Sequence, residues 1–170
     1  EQTASVIAKP LSEKHMYGGG ALARLEYIKK KHGTLGLEKL FTMAKGKGYT
    51  GPTDLKAIKL RQMYRVMDYL TLMECYIELF GESAFDTMSR TMPQKKGVIG
   101  WFIKWATNPE FLLKKAGEYW SNFYDFGTLD GKLTAENEAQ VTGFDICLSP
   151  IFCRALTHYF IGLLNMLKVK

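Results

Sequence analysis

The stretch NPEFLLKKAGEYWSNFYDFGTLDGKLTAENEAQVTGFD, from Asn108 to Asp145, decides how the chain folds. Asn108 is a good N-cap, and Pro109 occupies the first helical position, where a missing N–H costs nothing. Glu110 follows near the positive end of the helix dipole. On a helical wheel Leu112, Leu113, Ala116, Tyr119, Trp120, Phe123 and Tyr124 share one broad face. Lys114, Lys115, Glu118, Ser121 and Asn122 lie opposite, which predicts a single amphipathic helix with an aromatic underside. The chain then extends through Asp125–Leu133, turns near Ala135–Glu138 and returns through Ala139–Phe144. Leu129, Gly131 and Leu133 alternate with Thr128, Asp130 and Lys132, as in a strand with one covered face.

Working outward, the N-terminal side reads as helices. Residues 1–17 form an arm or a short strand, and residues 18–170 a single domain. Gly18-Gly19-Gly20 precedes a helix from Ala21 to His32 with Leu22, Leu25 and Ile28 inside. Arg24, Lys29, Lys30 and Lys31 are expected outside it or at its end, and Gly33 stops it. No Gly-Lys-Ser/Thr follows the glycines, so they read as a flexible or closely packed entry and not as a phosphate cradle. Leu35–Ala44 is a second helix, and Met63–Phe80 a central one, apolar on most of its circumference. Glu82–Met92 is shorter. Ser149 caps and Pro150 opens the last helix, with Phe152, Ala155, Leu156, Tyr159, Phe160 and Leu163 as its core stripe and Arg154, Thr157 and His158 opposite. The fold class is therefore α+β: several helices packed against a small antiparallel sheet, in a single domain.

The 170 residues suffice for one core, and ten Phe, nine Tyr, three Trp and eight Met make it aromatic and soft. The net charge of +6 is concentrated in residues 1–62, which carry 12 basic against 5 acidic side chains. That basic third reads as a solvated face; peripheral membrane contact is the alternative, and nucleic acid is not expected as a partner. Arg65, Asp68, Glu74 and Glu78 interrupt the most apolar run, so no membrane span is expected. Cys75, Cys147 and Cys153 are sparse and odd in number, which reads as reduced thiols in a cytoplasmic protein.

No catalytic signature is visible, and the chain is read as a non-enzyme without cofactor. Cys153 and His158 sit about 140° apart on a helix and cannot share an ion, so no metal site is expected. His15 and His32 default to solvent; Glu74 and Glu78 face solvent or answer a nearby Lys or Arg. Lys and Arg are absent from the aromatic face at Tyr119–Tyr124, so that face reads as core or as the wall of an apolar pocket. The residues expected to line such a pocket are Met73, Cys75, Tyr119, Trp120 and Phe123.

Residues 108–116, Tyr119-Trp120, Tyr124–Gly127, Gly143-Phe144 and Ser149-Pro150-x-x-Cys153, with Gly20…Tyr27-Ile28…His32-Gly33…Gly36-Leu37 upstream, resemble one ligand-binding superfamily. It is shared by heme–nitric oxide binding domains, 4-vinyl-reductase-type domains and TRAPP transport subunits, and its poorly characterised prokaryotic branch is the nearest match. The resemblance covers most of residues 18–167. It implies an α+β domain, often with an apolar pocket and often a homodimer. Two functions follow as expectations: binding or sensing a small apolar ligand, or a TRAPP-like interaction module acting through dimerisation or a partner. The heme branch is marked by Tyr-x-Ser-x-Arg and an axial His on an internal helix; neither is present, so heme sensing is not expected. The family usually adds two strands after the last helix, and residue 170 falls just past that helix. The sheet is then completed another way, or the chain is trimmed.

Overall fold

A computed structural model describes residues 8–94, 113–135, 138–146 and 148–166. Three residues, His15–Tyr17, form β1, which runs directly into α1, Gly18–Gly46. Strand β2, Met63–Arg65, pairs antiparallel with β1 through Met16 opposite Tyr64 and leads without a break into α2, Val66–Phe80. Helix α3 covers Glu82–Thr91 and α4 covers Ala116–Ser121. A second antiparallel pair, β3 (Thr128–Ala135) and β4 (Glu138–Phe144), precedes α5, Pro150–Met166. The architecture is α+β in one domain, with two small antiparallel sheets among the helices.

Local chemistry explains the boundaries. Gly33 takes φ 74° and ψ −179° inside α1, so two helical segments meet at a kink where the sequence places a stop. The Ser149 hydroxyl accepts the Phe152 amide at 3.1 Å, which caps α5 as its sequence requires. Gly81, at φ 86°, separates α2 from α3.

Two helix expectations are corrected. The central helix starts at Val66 and not at Met63, because Met63–Arg65 is drawn into a ladder with β1. Pairing with a distant strand outweighs the local apolar pattern there. The single helix expected to run to Tyr124 breaks at Lys115 (φ −92°, ψ 2°) and ends at Ser121. Residues Phe123–Asp125 are instead spent on hydrogen bonds to β1. Asn108, Pro109 and Glu110, like the start of that helix, lie outside the described residues.

The core runs through all the helices. Buried positions 66, 68, 69, 70, 72, 73, 75 and 76 confirm that α2 is covered on most sides. Leu25, Ile28, Leu40 and Phe41 from α1, Phe85 and Met88 from α3, and Phe152 and Ala155 from α5 pack around it. The hairpin keeps the expected alternation, with Leu129 and Gly131 buried and Thr128, Asp130 and Lys132 exposed. Every residue of β4 is exposed, including Val141 and Phe144. No helix of the described residues is long and apolar enough to cross a membrane.

Helix α5 lies against α3 at Gly162, where an added Cβ would stand 2.1 Å from the Arg90 carbonyl oxygen. Beside that contact, Arg154 binds Asp86 through Nε–Oδ1 at 2.7 Å and Nη2–Oδ2 at 2.9 Å, and reaches Glu82 at 2.6 Å. Backbone cannot give way as a flexible side chain can. Gly162→Ala is therefore expected to destabilise the fold by about 1–3 kcal/mol through overpacking, despite alanine's higher helix propensity. Urea titration checks it; an unchanged or raised midpoint would contradict the close α3–α5 approach.

Candidate functional site

Gly20, Arg24 and Ile28 follow each other at four-residue spacing along α1, so they share one stripe of that helix. Gly20 and Ile28 are buried, and Arg24 is carried inward between them. This corrects the expectation that Arg24 lies outside. Its Nη1 donates to the Gly20 carbonyl oxygen at 3.1 Å, and its Cζ stands 5.1 Å from the centre of the Tyr69 ring. The Nε atom is buried without a hydrogen-bond partner, and so is the Tyr69 hydroxyl, on a residue 4% exposed. Among the described residues no carboxylate pairs with Arg24. A guanidinium stays charged and can only donate. Leaving its buried Nε and a buried phenol unsatisfied is unfavourable by roughly 1–3 kcal/mol per group.

Four tyrosines from different segments form a linked group, and Arg24 acts on three of them, Tyr69, Tyr124 and Tyr159. Tyr69 comes from α2, Tyr119 from α4, Tyr124 from the segment after it and Tyr159 from α5. Burial pushes the Tyr69 phenol far above its ordinary range, and Arg24 opposes the shift. The same opposition acts on Tyr124. Burial raises Tyr159 to about 12, against a hydrogen bond from Tyr119 and the field of Arg24. Burial also raises Tyr119, with Tyr159 adding to it. All four phenols are neutral near pH 7, so they serve as hydrogen-bonding groups and not as bases. Tyr119, Phe123 and Tyr124 are half-buried and close to one another, with ring centres 5.2 Å apart for Tyr119–Phe123 and 6.5 Å for Phe123–Tyr124.

The five expected pocket residues divide around this centre. Phe123 lies near it, since a Cβ built on Gly20 would stand 3.6 Å from Phe123 and 3.9 Å from Arg24, and Tyr119 packs on Phe123 with ring centres 5.2 Å apart. Met73 follows Tyr69 by one turn of α2 and is 2% exposed. Trp120 stacks beneath Tyr124 at 4.2 Å and donates through Nε1 to the Phe126 carbonyl oxygen at 2.5 Å. Cys75 lies elsewhere: it is six residues past Tyr69, about 240° round the helix. Burial raises its thiol, and the charges that act on it are Lys47, Glu78 and Glu74. The Cys75 side chain is 0% exposed. A cavity of about 20 Å³ adjoins Tyr69 among Met16, Ala21, Leu25, Tyr49 and Leu72, with room for about one water.

The remaining candidates are engaged in structure. His32 is not free in solvent. Its Nε2 lies 3.0 Å from the Tyr76 hydroxyl and its ring stacks on Phe80 at 3.8 Å. Burial and then Lys31 hold its pKa below 6.5. His158 is likewise no surface side chain. Its Nε2 is 3.0 Å from Asp86, while Arg90 Nε donates to Nδ1 at 2.9 Å. The Arg90 contact fills the position where a Ser or Cys nucleophile would stand in a catalytic Asp–His pair. His15 meets Asp125 at 3.3 Å, and Glu78 pairs with Lys47. The Gly18 and Gly19 amides donate to the Gln62 and Leu60 carbonyls at 2.9 and 3.1 Å, so these two donors are already used. No metal-binding cluster occurs among the described residues. Cys153 is disulfide-bonded and Cys75 is free, which corrects the expectation of uniformly reduced thiols; Cys147 lies outside the described residues. The cysteine argument for a reducing compartment falls with it.

Comparison with family models, with characterised proteins and with solved structures gives no match. The Arg24 site therefore stands on its own geometry.

Cys75 sits in filled core, so Cys75→Trp is expected to destabilise by roughly 1–3 kcal/mol or more. The test is the urea midpoint of the variant. A near-neutral substitution would reveal space at Cys75.

Proposed function

We propose that this chain is a non-enzymatic domain that binds or senses a small, largely apolar ligand, held at Arg24 and the aromatic wall around it. One observation carries the reading. The Arg24 Nε and the Tyr69 hydroxyl are buried without partners beside half-buried rings of Tyr119, Phe123 and Tyr124. Most buried polar groups are paired, and an unpaired one is completed by a ligand or an ordered water or is held by strain. The aromatic wall supplies apolar contact, and a few convergent polar groups supply orientation, the usual division in ligand sites. The resemblance to the superfamily of ligand-binding and TRAPP-type domains supports the same reading, as does the neutrality of the phenols, which fits binding better than proton transfer.

The test uses N-phenyl-1-naphthylamine, a neutral fluorescent probe, together with native mass spectrometry of the protein as purified. Saturable binding with a single site is expected, weakened at least about tenfold by Phe123→Lys, which sets a charge against the wall. A bare native mass with no saturable binding would overturn the reading.

A second reading, a TRAPP-like module working through self-association, has its own support in β4. Val141 is 38% and Phe144 48% exposed on a strand exposed along its whole length. Open strand edges and apolar faces of this kind favour pairing with another chain. A homodimer joined through β4 is expected to give twice the 19.3 kDa chain mass in light scattering and to dissociate in the Val141→Glu/Phe144→Glu double variant. A monomer at every concentration would reject it.

A further inference from the structure

We infer that Arg24 and Tyr69 anchor a carboxylate, so that the ligand is an amphipathic monocarboxylate with its apolar body against Phe123 and Tyr124. The inference rests on the ligand-binding reading above and specifies the class of ligand. The Arg24 Nε–H decides the chemistry of the missing partner. The guanidinium offers donors alone: Nη1 is committed to the Gly20 carbonyl, and the Nε–H is buried with no acceptor. The Tyr69 hydroxyl belongs to the ring that the guanidinium covers, is equally buried, and also has no acceptor. Burial keeps that phenol protonated, so it too has a proton to give. The partner of the Arg24 Nε–H must therefore be an acceptor, and it must carry negative charge to balance a cation that no described carboxylate neutralises; the Tyr69 hydroxyl can donate to the same group.

The balance of charge selects a carboxylate over a phosphate. One guanidinium is present, and the neighbouring groups from α2, α4, the segment after α4 and α5 are neutral rings: Tyr69, Tyr119, Phe123, Tyr124 and Tyr159. A dianion would leave one charge uncompensated among them. A planar monoanion with two oxygens matches the guanidinium fork, with a further oxygen lone pair for the phenol. An ammonium head would meet the cation head-on. The half-buried rings of Phe123 and Tyr124 give the apolar body its surface.

Isothermal titration with decanoate, decanol and decylamine, which share one tail length, tests this on the intact protein. Decanoate is expected to bind at least about tenfold more tightly than decanol, as charge-assisted hydrogen bonds do relative to neutral ones, and decylamine most weakly. Arg24→Met should abolish the preference of decanoate over decanol while leaving decanol affinity within about threefold, and Tyr69→Phe should reduce the preference in part. If Arg24→Met fails to fold, the Tyr69→Phe ratio decides alone. Equal binding of decanoate and decanol by the native protein overturns the carboxylate anchor and leaves the ligand-binding reading standing. Binding of none of the three overturns both. A decanoate preference that survives in both variants places the acceptor site elsewhere and also overturns the assignment.

Discussion

The three residues of β1 hold the two halves of this molecule together. On one side Met16 pairs with Tyr64 of β2; on the other it bridges to Tyr124, and the Tyr17 amide donates to the Phe123 carbonyl at 2.8 Å. Asp125 closes the clasp by accepting the His15 amide at 2.7 Å. Burial alone would raise the Asp125 carboxyl, but that amide and Lys9 outweigh it and hold it low. One residue upstream, the almost fully buried Lys14 pairs with Asp145 at the end of β4 and stands 5.2 Å from the Phe126 ring. A short strand with hydrogen bonds on both sides has little freedom in register. The start of α1, the start of α2 and the aromatic segment after α4 are thereby fixed relative to one another.

The candidate site is a consequence of that clasp. Arg24 lies less than two turns into α1, and Phe123 and Tyr124 lie where β1 grips the C-terminal half. Tyr69 is in the first turn of α2, directly after β2. The same pairing that orders the backbone thus brings a cation and several aromatic rings to one place. The cation has a ring face and one carbonyl as its described partners. In an aromatic interior a charge with so few contacts is unfavourable, and this is the feature that sets the region apart from ordinary core.

Sequence reading reached some of this and missed the rest for identifiable reasons. Trp120 and Leu129 are buried as their periodicity requires, because each belongs to a pattern with a repeat. Met63–Arg65 continues the apolar run of the helix after it, so its recruitment into β2 is not visible in any local window. Charge alone places Arg24 on the outer face, although its position between Gly20 and Ile28 at four-residue spacing is a readable sign of an inward stripe. The same default misplaced His32, which lies between Tyr76 and Phe80, and His158, which joins α5 to α3.

What the sequence by itself determined is the α+β class, the hairpin with its covered face, the kink at Gly33 and the Ser149 cap. Each depends on residues close in sequence, where backbone preference and side-chain spacing act directly. Tertiary structure decided the break at Lys115, the strand character of Met63–Arg65, the separation of Cys75 from the aromatic wall, and the meeting of Arg24 with Tyr69. These depend on contacts between residues tens of positions apart. A charge carries no local record of what surrounds it, so its partners appear only when the chain has folded around it.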